Sequence, residues 1–169
     1  MKWIGVTGSW RAINPQVKED IRIEVTNVLK EGNGIVTGGA LNVDYEATAL
    51  SLKYFPSGSH IRVILPTTLE IYANHYRKRA KEGIITRKQA EDLISQLELV
   101  KKLGRLDVMN YKTVDLRTYF YRNTKVVETS DELLAFQVNK SRGVQDTVNK
   151  ALERNVPVKK FEYVIEESK

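Results

Sequence analysis

The chain has 169 residues, 41% of them hydrophobic and 28% charged. That balance fits one globular domain and excludes a disordered segment. There is no cysteine, which excludes disulfide scaffolds, thiol nucleophiles and Cys-ligated metals. Lys and Arg number 27 against 21 Asp and Glu, a formal net charge of +6. Such an excess points to nucleic acid, to phosphorylated small molecules, or to solubility alone.

His60 and His75 lie too far apart in sequence for a His-rich metal site, and no metal or cofactor is expected. No apolar run reaches the ~18–20 residues of a membrane span. Met1-Lys2-Trp3-Ile4-Gly5-Val6 reads as a first strand rather than a signal peptide, so a cytoplasmic protein without membrane contact is expected.

In chain order, Trp3 to Thr7 is a buried strand that enters the loop Thr7-Gly8-Ser9-Trp10-Arg11. Asn14-Pro15 opens a helix with Val17, Ile21, Ile23, Val25, Val28 and Leu29 as its apolar set, ending at Glu31-Gly32-Asn33-Gly34. Gly34 to Thr37 is a second strand, followed by Gly38-Gly39-Ala40 and a helix from about Val43 to Tyr54. Ile61 to Leu65 is a third strand, stopped by Pro66. Strands alternating with helices imply right-handed crossovers and a mostly parallel sheet.

Residues 69–104 read as two helices, the second opened by a capping box at Thr86 and Gln89. Ala90, Leu93, Ile94, Leu97, Val100 and Leu103 form an apolar stripe at helical spacing. This pair is expected to be an insertion, an arm or an oligomer face, with dimerisation through the stripe. Beyond it, residues 115–123 read as a short helix or loop, Lys125-Val126-Val127 as a short strand, and Leu133 to Val138 as a strong strand. A helix after Ser141-Arg142-Gly143 carries Val144, Val148, Ala151 and Leu152 on one face. Val156 to Phe161 is a last strand, and Glu166-Glu167-Ser168-Lys169 is expected to fray. The expected fold class is α/β: one Rossmann-like domain over 1–169, an open parallel sheet of about five strands flanked by helices, with a helical insertion at about 69–104.

Three strand-to-helix loops are rich in Gly or Ser: Thr7-Gly8-Ser9, Gly38-Gly39-Ala40 and Ser141-Arg142-Gly143. In an open parallel sheet such loops share the carboxyl edge, where glycine admits close approach and helix N-termini favour anions. Neither G-x-x-x-x-G-K-[ST] nor G-x-G-x-x-G occurs, which disfavours a P-loop ATPase or a usual NAD enzyme. Ser9 and Arg11 point to a phosphate contact or to a capped turn with a solvated Arg. Asp44 points to a ribose hydroxyl, a general base or an acid at its helix N-terminus. Arg122 with Asn123 points to an anion and a base edge or to a helix cap. Glu46 reads as an acid complementing its helix N-terminus. Tyr72, Tyr76, Tyr119, Phe120 and Tyr121 flank basic residues, a pattern compatible with base stacking and with packing.

The pieces Ile4-Gly5-Val6-Thr7-Gly8-Ser9-Trp10-Arg11, Val36-Thr37-Gly38-Gly39-Ala40-Leu41-Asn42-Val43-Asp44, Tyr121-Arg122-Asn123, and Leu134-Ala135-Phe136 leading to Ser141-Arg142-Gly143-Val144-Gln145-Asp146-Thr147 resemble the SLOG superfamily. That Rossmann-like group includes the DprA/Smf DNA-processing proteins, the LOG phosphoribohydrolases and the YspA/YpsA-related proteins. Motif order and spacing resemble the YspA-related branch. The resemblance covers about 1–66 and 119–161, not the helical pair. Asn42 stands where that branch usually has Gly, Ser-Arg-Gly-Val replaces Ser-x-Gly-Thr, and the LOG motif P-G-G-x-G-T-x-x-E is absent.

The resemblance implies a nucleotide-derived ligand at Gly8, Ser9, Arg11, Gly38, Gly39, Ala40, Asp44, Arg122, Asn123, Ser141, Arg142 and Gly143. It assigns no catalytic residue. DprA-like binding of single-stranded DNA and LOG-like hydrolysis of a nucleoside monophosphate stand as alternatives. Residues 75–105 hold nine Lys/Arg and four Asp/Glu, and the rest of the chain 18 and 17, so the basic excess belongs to the helical pair. Single-stranded nucleic acid, an acidic partner and water are the candidates for what that pair contacts.

Overall fold

In a computed structural model, which describes residues 1–11 and 13–166, the alternating pattern becomes a six-stranded, all-parallel sheet flanked by six helices. The elements are β1 (Trp3–Gly8), α1 (Pro15–Lys30), β2 (Gly34–Thr37), α2 (Val43–Tyr54), β3 (Ile61–Leu65) and α3 (Leu69–Lys81). There follow α4 (Arg87–Lys102), β4 (Leu106–Val108), α5 (Leu116–Thr129), β5 (Glu132–Val138), α6 (Arg142–Glu153) and β6 (Val158–Tyr163). The strand order is β4-β3-β2-β1-β5-β6. The chain builds outward from β1 to β4, and α5 then carries it back to lay β5 against the other side of β1, pairing Gly5 with Leu133 and Gly8 with Phe136. The ends of β1 and β5 are therefore the point where strand order reverses, the place where an open α/β sheet leaves a crevice for ligands.

Alternation along each strand divides the core in two. Val63, Leu65, Leu134, Phe136 and Val138 face α1, α2 and α4, represented by Ile21, Val25, Ala47, Leu93 and Leu97. Leu133 and Ala135 face Val127, Val144 and Val148, while Val36 and Ile64 meet Val126. Residue 167 and those after it, part of the segment expected to fray, lie outside the described residues.

Four expectations change. The run Lys125-Val126-Val127 is helical, within α5, not a strand. Asp115 and Thr118 close a capping box (2.9 and 3.0 Å) that starts this helix, and Val126 and Val127 are the face it buries. Two adjacent valines read as strand because β-branched side chains favour it, but packing on the sheet decides. The sheet gains β4, whose three residues are too few to show a period. The last strand runs Val158–Tyr163 rather than Val156 to Phe161. Ile23 (41% exposed) and Leu152 (60% exposed) lie outside the buried faces of α1 and α6.

The helical pair links β3 to β4. Ala90, Leu93, Ile94, Leu97 and Val100 are all buried, and all but Ile94 share one core with β1, β2 and β3. The stripe is spent inside the chain and offers no face to a second copy. The two helices part company in role. α4 packs on the sheet, whereas α3 lies against its carboxyl edge, reaching Gly39 through Tyr72 and the end of β1 through Arg79.

Candidate nucleic-acid and nucleotide site

The residues singled out from sequence gather at this edge, and most of them tie one loop to another. Ser9 is buried; its hydroxyl accepts from the Val138 N–H (3.1 Å) and faces the Val138 carbonyl (3.4 Å), fastening β1 to β5. That engagement makes Ser9 a strand tie instead of an open phosphate donor. Asn42, at φ 62°, donates through Nδ2 to the Trp10 (2.5 Å) and Arg11 (2.8 Å) carbonyls, joining the first loop to the second. The position that resembles a family glycine thus holds an Asn at positive φ, whose side chain adds two bonds between the loops.

Arg122 and Asn123 join the remaining loops. The buried Arg122 guanidinium donates to the Gly38 carbonyl and, through Nε, to Asn123 Oδ1 (3.1 Å); it also lies 5.2 Å from the centre of the Tyr119 ring. A Cβ on Gly38 would stand 2.6 Å from the guanidinium carbon, so glycine here makes room for Arg122. Asn123 Nδ2 reaches Asp146 (3.2 Å) and the Gly143 carbonyl (3.4 Å) at the start of α6. Ser141, the N-cap of α6, makes no side-chain capping bond, and Arg142 is exposed beside it.

Asp44 is the most perturbed carboxyl. It is buried in the first turn of α2, and its Oδ2 accepts from the Gly38 (3.1 Å) and Ala40 (3.2 Å) N–H groups. Its Oδ1 is buried with no hydrogen-bond partner among the described residues. Burial raises its pKa to about 6, against the pull of Arg122 and the two N–H donors. The folded chain therefore holds this proton to higher pH than the unfolded chain. Its contribution to stability is full below about pH 4 and is lost as pH rises through about 6.

Asp44→Asn keeps an acceptor for the two N–H groups and removes the titration. Wild-type stability is expected to fall, relative to this variant, by about 2–3 kcal/mol between pH 4 and pH 7 in parallel urea melts. Equal pH profiles would contradict it.

The aromatic residues divide. Tyr72 and Tyr76 are buried, with their hydroxyls 3.3 Å apart and Tyr72 donating to the Gly39 carbonyl (2.9 Å), so they pack the edge instead of stacking bases. His75 meets the Tyr119 hydroxyl (3.3 Å), and burial with Arg79 and Lys78 nearby lowers its pKa. Tyr121 is exposed and stacks on Tyr111, with ring centres 5.0 Å apart. Reading the sequence missed Trp10, which is 37% exposed and lies 5.3 Å from the Arg11 guanidinium and 5.9 Å from that of Arg79. No local pattern joins positions 10 and 79; only the course of α3 does.

Basic charge thus lies beside the convergent loops. Arg11, Lys112 and Lys140 are on carboxyl-edge loops, Arg142 begins α6, and Arg79 projects from α3. Asp115, on the same edge, is spent capping α5. No described helix is long and apolar enough to cross a membrane, and no cluster of potential metal ligands occurs among the described residues.

No family model matches the chain, and no curated protein matches it. Solved structures do. DNA processing protein A (DprA) from Helicobacter pylori, studied for its single-stranded DNA binding mode, matches at TM-score 0.66 and 17% identity, over 99% of this chain and 66% of that one. DprA from Streptococcus pneumoniae matches at TM-score 0.63 and 19% identity, over 99% and 51%. The structural-genomics protein TM1055 matches at 0.51 and 16%, over 94% and 72%. This chain spans less than two thirds of either DprA chain. The likeness extends across α3 and α4, which the sequence resemblance had left out. The chain has a Rossmann-like fold similar to that of the DprA proteins.

Proposed function

We infer that the protein binds single-stranded nucleic acid along the carboxyl edge of its sheet. The observation that carries this is Trp10 at the end of β1, an exposed ring held among the Arg11 and Arg79 guanidinium groups. A partly exposed ring with two guanidinium groups over it brings a stacking surface and phosphate-binding cations to one place. Arg142, Lys140 and Lys112 continue the positive edge. The single-stranded DNA binding described for Helicobacter pylori DprA accords with this reading, as does the motif order, which we take to ally the chain with the YspA-related branch of the same fold group.

Fluorescence anisotropy with a labelled single-stranded oligonucleotide tests it. Affinity is expected to fall steeply with salt as counterions are released. Trp10→Ala is expected to weaken binding about tenfold, the scale of one lost base–aromatic stack. Arg79→Glu is expected to flatten the salt dependence. No binding at low salt would overturn the proposal.

A second reading, binding of a nucleotide-derived small molecule, rests on Asp44. A ligand hydroxyl would satisfy its unpartnered Oδ1, and a carboxyl near pH 6 is suited to proton transfer. A nucleotide panel in thermal-shift assays separates the readings, since a ligand of the native state raises Tm by mass action. Free base released from a nucleoside monophosphate, and lost in Asp44→Asn, would extend this reading to hydrolysis.

A further inference from the structure

We propose that the protein forms a two-fold dimer by antiparallel pairing of β6 with β6 of a second copy, centred on Phe161. β6 is the last strand of the sheet, and none of the described strands pairs with its outer edge. Its inner edge is defined by the bonds from Leu133 N–H to the Pro157 carbonyl and from Asn139 N–H to the Tyr163 carbonyl. Backbone direction alternates along a strand, so residues 159 and 161 also face β5, while residues 158, 160 and 162 turn their N–H and C=O groups outward. An edge of this length with unpaired polar groups is a template for another strand.

The side chains fix the occupant and the register. Around Phe161 the sequence reads Val158-Lys159-Lys160-Phe161-Glu162-Tyr163-Val164, apolar at both ends and opposite in charge either side of the centre. Pairing centred on Phe161 sets Lys160 opposite Glu162 of the second copy, and Glu162 opposite its Lys160. These outward-facing residues make the mutually hydrogen-bonded pairs. Lys160 and Glu162 already share a face of the sheet, with their charged groups 2.9 Å apart. The same register brings Val164, 92% exposed, opposite Val158.

Centring on residue 160 or 162 would oppose like charges, and a one-residue slip would match outward with inward backbone groups. The pattern is therefore complementary to itself in one register, as a two-fold interface requires. It supplies the self-association that the buried stripe on α4 does not.

Sedimentation equilibrium of the full chain is expected to show a reversible dimer. Lys160→Glu and Glu162→Lys each set two like-charge pairs across the axis and are expected to weaken it about tenfold. The double variant Lys160→Glu/Glu162→Lys is expected to restore wild-type association. A wild-type monomer, or a dimer indifferent to both single changes, would overturn the proposal, as would a folded double variant that does not recover.

Should a charge variant fail to fold, Val158→Cys/Val164→Cys decides. The chain has no other cysteine. Positions 158 and 164 lie about 20 Å apart along one strand but face each other across the axis at about 5.5 Å between Cα atoms, within disulfide range. Mild oxidation is expected to give a covalent dimer. A folded variant that stays monomeric would overturn the proposal.

Discussion

Arg122→Ala is expected to lower stability by about 3–5 kcal/mol, the scale of removing one partner from a buried charged cluster. The guanidinium is buried, so its loss strands several groups at once: the Gly38 carbonyl, Asn123 Oδ1 and the Asp44 carboxylate that it attracts. Stranded buried groups forfeit their hydration without recovering a bond. Arg122→Lys retains the charge but loses the planar contact with Tyr119 and the simultaneous reach to two acceptors, so an intermediate loss is expected.

Urea melts at pH 7 measure both changes. Asp44→Asn is expected to recover part of the Arg122→Ala loss, because the carboxylate no longer needs a cation. The two changes should therefore be less than additive. Strict additivity would mean that Asp44 and Arg122 are not coupled as their positions imply.

Gly8→Ala is expected to cost about 3 kcal/mol, at the upper end for forcing extra volume into a packed interior. An added Cβ would stand 2.3–2.4 Å from Val43 Cβ, Cγ1 and Cγ2, all on the first residue of α2. Neither element yields easily, since β1 is held on both sides by β2 and β5, and Val43 is fully buried. The helix must lift from the strand end, taking with it the Asp44 turn that holds Gly38 and Ala40. Loss of nucleic-acid affinity is expected alongside the fall in Tm. A Tm unchanged from wild type would show that α2 moves freely over β1.

The glycine of the first loop thus serves helix–strand packing, a role indistinguishable in sequence from close approach to a phosphate. The same holds for Ser9, whose hydroxyl a motif reading assigns to a ligand and the fold assigns to Val138. The alternation of strands and helices was legible because apolar runs and caps such as Asn14 and Thr86 with Gln89 are local signals. β4 was not legible, being three residues long, and Val126-Val127 misled because β-branched residues also suit a buried helix face. The loops that converge were legible as glycine-rich turns. What escaped was the course of α3, which depends on how Tyr72 and Arg79 meet loops more than thirty residues away.

The bond between Ser9 and Val138 spans 129 residues of chain. It fixes when the carboxyl edge can exist at all. Non-local pairings of this kind form late, after loop closure has been met by other contacts. During synthesis, β1 through β4 emerge with one flank of β1 unpaired, and the crevice has only one wall until β5 is made. A chain ending before residue 132 would carry Trp10, Arg11 and Arg79 yet lack the second side of the site and the α6 N-terminus. On the proposed reading, binding at this edge requires β5 and α6 and is acquired in one step once both have been made.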